Sequence, residues 1–75
     1  MKKYRTFEVG EKGDHLKGQI QIRLDEEDKS IFKKLREIGF NINRHRNKLI
    51  WWDDDYVEII NKKTENTIGI MEICY

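Results

Sequence analysis

No alanine and no proline occur in this 75-residue chain, cysteine occurs once, and no apolar run approaches the roughly 20 residues of a membrane-spanning helix. Without alanine, the core must come from eleven isoleucines, a few Leu, Val and Met residues and eight aromatics. A lone Cys74 excludes an internal disulfide and, in an apolar run near the C-terminus, reads as a small buried residue rather than a reactive thiol. The start MKKYRTFEVG is basic but has no apolar segment behind it. Neither a secretory leader nor a membrane span is therefore expected, and the cytoplasm is the expected compartment. Ala and Pro have GC-rich codons whereas the abundant Lys, Ile and Asn do not, which points to an AT-rich source such as a low-GC bacterium or its phage.

Charge of one sign is missing as well. Charged residues make up 39% of the chain, yet the formal net charge is +1, so a polycation held on nucleic acid by bulk charge is excluded. Any electrostatic function must come from local clusters. Acids gather at Asp25 to Asp28 and at Asp53 to Asp55, bases at Lys2 to Arg5, Lys33 to Arg36 and Arg44 to Lys48. Catalytic and ligating patterns are equally scarce. His15, His45 and Cys74 lack CxxC, HxH or HExxH spacing, and Gly10, Gly13 and Gly18 form no phosphate loop. Ser30 falls inside a helical pattern, and Cys74 has no histidine at a fixed spacing. Neither an enzyme nor a metal or cofactor is expected, and the Asp53–Asp55 trio reads as a helix cap before it reads as a cation site.

A chain of this length forms one domain and buries roughly 60% of the surface that its unfolded form exposes. Residues 3–9 alternate enough for a short strand with Phe7 and Val9 on one face, and the charged, glycine-bearing segment 11–18 reads as a loop, so 1–18 is expected to form an N-terminal strand or arm and a loop. Residues 19–24, QIQIRL, alternate without fault and form a strand with Ile20, Ile22 and Leu24 inward. Asp25 suits a helix N-cap, with Asp28 as the capping-box acid, and Ile31, Phe32, Leu35 and Ile38 make one stripe of a helix over 26–38. Gly39 supplies a left-handed stop, with Phe40 folded back on Leu35. A strand at 40–43, a polar turn and a strand at 48–53 then form a hairpin in which Leu49 and Trp51 share one face, Ile50 and Trp52 the other. Tyr56, Ile59, Ile60 and Lys63 have helical spacing behind an acidic entry, although the same residues are strong strand formers; a helix is favoured here. Residues 68–75 close the chain as a strand.

From residue 19 to 75 the expected order is thus βαββαβ, a small α+β ferredoxin-like split βαβ domain with both helices on one face of an antiparallel sheet ordered four, one, three, two. That arrangement sets the basic tip at residues 44–48 beside the acids of residues 25–28 and starts the two acid clusters at opposite ends of the sheet.

The order helix, glycine, aromatic, hairpin and tryptophan at Leu35, Gly39, Phe40, Asn43, Lys48 and Trp51 or Trp52 resembles a segment of HARP-type domains and of small phage and plasmid domains. It covers residues 35–52 only, and the Trp-aromatic-x-Pro ending of such segments is replaced by Asp53 and Asp54. The resemblance implies contact with DNA or with a replication or defence protein. The residues themselves lead to a non-enzymatic binding module, encoded by a phage or mobile element, that docks stoichiometrically on a host protein as an inhibitor or anti-defence factor. Surplus apolar side chains at Trp52, Met71, Ile73 and Tyr75 would supply its interface or a homodimer seam. The alternative is a nucleic-acid-binding accessory protein. In it Arg44, His45, Arg46 and Lys48 contact phosphates, an exposed Trp stacks a base, and Lys2, Lys3 and Arg5 assist.

Overall fold

In the computed structural model, which describes residues 3–11 and 15–74, five strands and one helix follow the order β1 (Tyr4–Glu11), β2 (His15–Arg23), α1 (Asp28–Glu37), β3 (Asn47–Trp51), β4 (Tyr56–Asn61) and β5 (Thr67–Ile73). All pairings are antiparallel, and the strands form one sheet ordered β2-β1-β5-β4-β3. A β1–β2 hairpin and a β3–β4–β5 meander are joined by pairing of β1 with β5, with Phe7 opposite Ile73 and Val9 opposite Met71. This is a mostly-β fold, so the ferredoxin-like βαββαβ expectation with its second helix and its four, one, three, two order is overturned.

Strand β4 is the decisive difference. Its sequence carries both a helical and an alternating pattern, and two-sided pairing selects the second: Val57 faces both Trp51 of β3 and Met71 of β5. Val57 and Ile59 then alternate into the core, where β-branched side chains pack well on a pleated surface. The acidic trio caps no helix. Instead Asp53 Oδ1 accepts from the Asp55 amide at 2.7 Å, and the Trp52 amide donates to the Tyr56 carbonyl, closing a β3–β4 hairpin.

At the other end of the chain, of the expected loop at 11–18, residues 11 and 15–18 are strand and residues 12–14 lie outside the described residues. The register slips between Val9 and Gly10, so that residues from His15 onward pair with β1 as an edge strand, where charged residues are tolerated. Residues 40–43 form no strand, because the chain there is occupied in covering the sheet: Phe40 and Ile42 are buried in the core.

Helix α1 begins at Asp28 with Glu27 as N-cap and no side-chain cap, so Asp25 is not the cap and Asp28 not a capping-box acid. Asp25 instead pairs with Arg23 at 3.2 Å. The organising side chain is Glu26, only 6% exposed, which accepts from the Arg23 amide (2.9 Å), the Ser30 hydroxyl (2.6 Å) and the Lys34 ammonium (2.7 Å). Lys34 also donates to the Gln21 carbonyl at 2.6 Å and lies 5.9 Å over the Tyr4 ring, tying the helix to the sheet edge.

The helix ends as its glycine implies. Gly39 adopts φ 104°, its amide donates to the Arg36 carbonyl, and the Phe40 amide donates to the Leu35 carbonyl, the paired bonds of a Schellman stop. That stop throws the Phe40 ring onto the backbone of β5 at Gly69, where a β-carbon would lie 2.8 Å from the ring and from the Gly10 carbonyl oxygen. The core between α1, the 40–42 segment and one face of the sheet holds Phe7, Val9, Ile20, Ile22, Ile31, Phe32, Leu35, Phe40, Ile42, Leu49, Val57, Ile59 and Met71.

Urea unfolding tests the two glycine roles. Gly39→Ala should cost about 1–2 kcal/mol through left-handed strain alone, and Gly69→Ala about 1–3 kcal/mol through overpacking against Phe40. Burial pushes the Glu26 carboxyl up, but its hydrogen bonds to Lys34, Ser30 and Arg23 and the Lys34 charge outweigh this and hold it below its ordinary 4.5. The folded state therefore binds fewer protons here than the unfolded state. Stability from this group is present above pH 4.5 and lost as pH falls through the depressed value. Glu26→Gln should flatten that acid limb in a stability-versus-pH series.

Candidate functional site

The helix carries the chain from one end of the sheet to the other, since ten residues of α-helix span ~15 Å. One end is marked by Tyr4 opposite Arg23, by Tyr56 opposite Glu72 and by Trp51; the other by Glu11 opposite His15 and Asn47 opposite Asn61. The acids of residues 25–28 and of residues 53–55 both fall at the first end, and the basic turn 44–46 falls at the second. Both sequence-based placements are thus corrected: the acid clusters share an end, and the basic tip stands away from the acids. The reason is that β4 and β5 form a meander with β3, where a crossover helix was expected.

The acidic end is also where large apolar side chains meet solvent. Among the described residues, the exposed large apolar side chains are Tyr4 (52%), Leu16, Leu24 (62%), Trp51 (41%) and Trp52 (64%), and all except Leu16 stand there. Trp51 packs edge-on against Phe7, with centroids 6.1 Å apart and planes at 86°, and so forms the rim of the core rather than its interior. Trp52 lies on the side of β4 away from the helix, where its indole N–H donates to Glu58 Oε1 at 3.0 Å. Glu58 also accepts from the Thr67 hydroxyl, and these two bonds hold its carboxyl below the usual range. A cleft of about 340 Å³ is lined by Phe7, Leu24 and Trp51 on its apolar side and by Glu26, Asp28, Asp53 and Asp54 on its acidic side. Two arginines brace it: Arg5 donates to the Asp54 carbonyl (2.8 Å) and lies 3.6 Å from Asp55, and Arg23 pairs with Asp25.

The helix-free face of the sheet carries a second acidic feature. Glu8 and Glu72 stand directly opposite each other on β1 and β5, and Gly10 lies between Leu16 and Ile70 in the next row. The result is a concavity of about 430 Å³ with Glu8, Glu11 and Glu72 around an apolar floor. The Glu8 carboxylate beside Cys74 pushes that thiol up, which keeps it protonated and unreactive at neutral pH.

At the basic end, Arg44, His45 and Arg46 form the turn before β3, and Lys48 follows on the strand. Asn43 Oδ1 accepts from the His45 and Arg46 amides, and Asn61 Oδ1 from the Lys63 and Thr64 amides. These two turns are joined by the Lys62 amide on the Arg46 carbonyl (2.8 Å) and the Lys62 ammonium on the Arg44 carbonyl (2.5 Å).

Of the residues expected to touch a partner, Met71 is fully buried in the core, because the helix covers the face that it shares with Val57. It is withdrawn from the interface. Tyr75 and Lys2 lie outside the described residues. Trp52 and the basic residues 44–48 are exposed but at opposite ends of β3, so they do not form one site. Sequence reasoning missed Glu8, Glu58 and Glu72. Their signal was present in the triplets FEV, VEI and MEI, each of which sets a carboxylate on the face opposite two core residues.

Among the described residues no group of three His, Cys, Asp or Glu side chains converges as a metal site would, and no helix is long and apolar enough to cross a membrane. Compared with protein-family models, curated proteins and solved structures, the chain matches none.

Proposed function

We propose that this chain is a non-enzymatic docking module that binds a protein partner one to one through the acidic, aromatic end of its sheet. A host protein is the target expected of a mobile-element product. The observation that carries this reading is that Tyr4, Leu24, Trp51 and Trp52, all exposed, stand at the same end of the sheet as the carboxylates of residues 25–28 and 53–55. Exposed tryptophans ringed by charge are the usual composition of an interface centre, since a rigid ring buries much area for little lost entropy. The acids select a partner with a basic rim around an apolar patch and speed its approach at low salt. Arg5 and Arg23, which line the cleft beside Trp51, temper the repulsion among them.

Quantitative capture from lysate of the source cells, with wild type and variants side by side, tests this. Trp52→Ala should change folding stability by less than about 0.5 kcal/mol, since the ring is mostly in solvent. It should weaken capture by about 2 kcal/mol or more, roughly 30-fold, as loss of a central ring does. Asp53→Asn with Asp54→Asn should slow association and reduce its salt dependence. Equal retention of a stoichiometric partner by wild type and Trp52→Ala, or recovery of no such partner, would contradict the proposal.

A further inference from the structure

The docking end leaves the basic end of the molecule unused, and its construction differs from that of an ordinary solvated turn. Two separate turns, residues 43–46 and 61–66, are locked by Asn43 and Asn61 and bonded to each other through Lys62. Arg44, Arg46, Lys48, Lys62 and Lys63 are thereby gathered at one sheet end, and among the described residues none of them is in an ion pair. Elsewhere among the described residues Arg5, Lys17, Arg23 and Lys34 have a carboxylate partner and Lys3, Lys29, Lys33 and Arg36 have none. What sets this end apart is that five unpaired cations stand together on two turns whose backbones are bonded to each other. The acids of residues 25–28 and 53–55 stand at the opposite end of the sheet, and Glu65, within the second turn, is the acid nearest to these five cations in sequence.

We propose that this paired-turn end binds the phosphate backbone of duplex nucleic acid, independently of the docking end. The preference for a duplex follows from the aromatics. Sequence-tolerant single-strand binding needs several rings on which successive bases stack, and among the described residues the exposed Tyr4, Trp51 and Trp52 rings lie at the opposite end, which leaves the basic turn the single imidazole of His45. What remains at the basic end is phosphate contact, which positions a protein without reading sequence. The chain's near-zero net charge keeps this contact local and weak compared with that of a basic protein.

Titration of fluorescent 20-base-pair DNA and RNA duplexes and of a single strand of equal length, across about 50–200 mM salt, tests the assignment. About three phosphate contacts predict a log–log salt slope near −3 and a roughly 40-fold or greater loss of affinity over that range. Duplex should be preferred to single strand, and the tighter of the two duplexes identifies the natural source of the phosphates. Arg44→Gln, Lys48→Gln and Lys63→Gln together, none of whose side chains makes an internal bond among the described residues, should flatten most of the slope. Lys29→Gln with Lys33→Gln, exposed on α1, should leave it unchanged. Amide shifts of the wild-type protein on adding duplex should map to residues 43–48 and 61–64, which keeps the test independent of how the variants fold. Absence of duplex binding at 50 mM salt would overturn the proposal. So would tighter binding to the single strand, shifts mapping elsewhere, or binding of an acidic protein such as polyglutamate with no binding of duplex.

Discussion

The pairing of β1 with β5 is the constraint on which the rest of this molecule depends. Without it the chain would consist of a two-stranded hairpin and a three-stranded meander, neither with enough buried surface to be stable alone. With it, Val9 and Met71 meet at the middle of a five-stranded sheet, both fully buried, and α1 together with Phe40 and Ile42 covers one face. That pairing also fixes direction, because an antiparallel weld between β1 and β5 decides which hairpin turns share an end. The acidic β3–β4 turn is brought to the start of α1, and the basic turn before β3 is carried away from it.

Two packing devices hold the helix over this sheet, one at each of its ends. At the entry, a nearly buried Glu26 gathers a backbone amide, a hydroxyl and the Lys34 ammonium, so the first turn is organised from outside the helix by a side chain longer than an ordinary cap. At the exit, the Gly39 stop lays Phe40 on a glycine of the central strand β5. The first is local in sequence, linking Arg23, Glu26, Ser30 and Lys34, and the second joins segments 29 residues apart.

Much of this was legible in the residues and some of it was not, for reasons that differ by element. QIQIR is strand, although Leu24, expected to continue it with its side chain inward, turns out into solvent; the Ile31, Phe32, Leu35 stripe with Gly39 behind it is helix; these signals are local, and local physics decides them. YVEIINKK is ambiguous because Tyr56, Ile59 and Ile60 fit a helix as well as Val57 and Ile59 fit a strand, and only the strands on either side settle it. Alternation in β5 was evident, but which parity meets the helix depends on the partner strands, and so Met71 was assigned to the wrong side. The candidate site suffered most from that one element: once β4 is a strand, the charges regroup by ends, and Trp52 parts company with the basic turn.

The functional reading follows from this polarity: aromatic rings and carboxylates at one end, unpaired cations on locked turns at the other, and a helix between them. Its most direct test is a pair of distances. Spin labels at positions 25 and 54, and separately at 25 and 44, in a chain whose Cys74 is replaced by serine, report the separations by electron–electron dipolar coupling. The account predicts that the 25–54 pair is clearly the shorter of the two, because both acid clusters share an end of the sheet. A shorter 25–44 distance would restore the arrangement with a second helix and contradict the sheet order on which both functional ends depend.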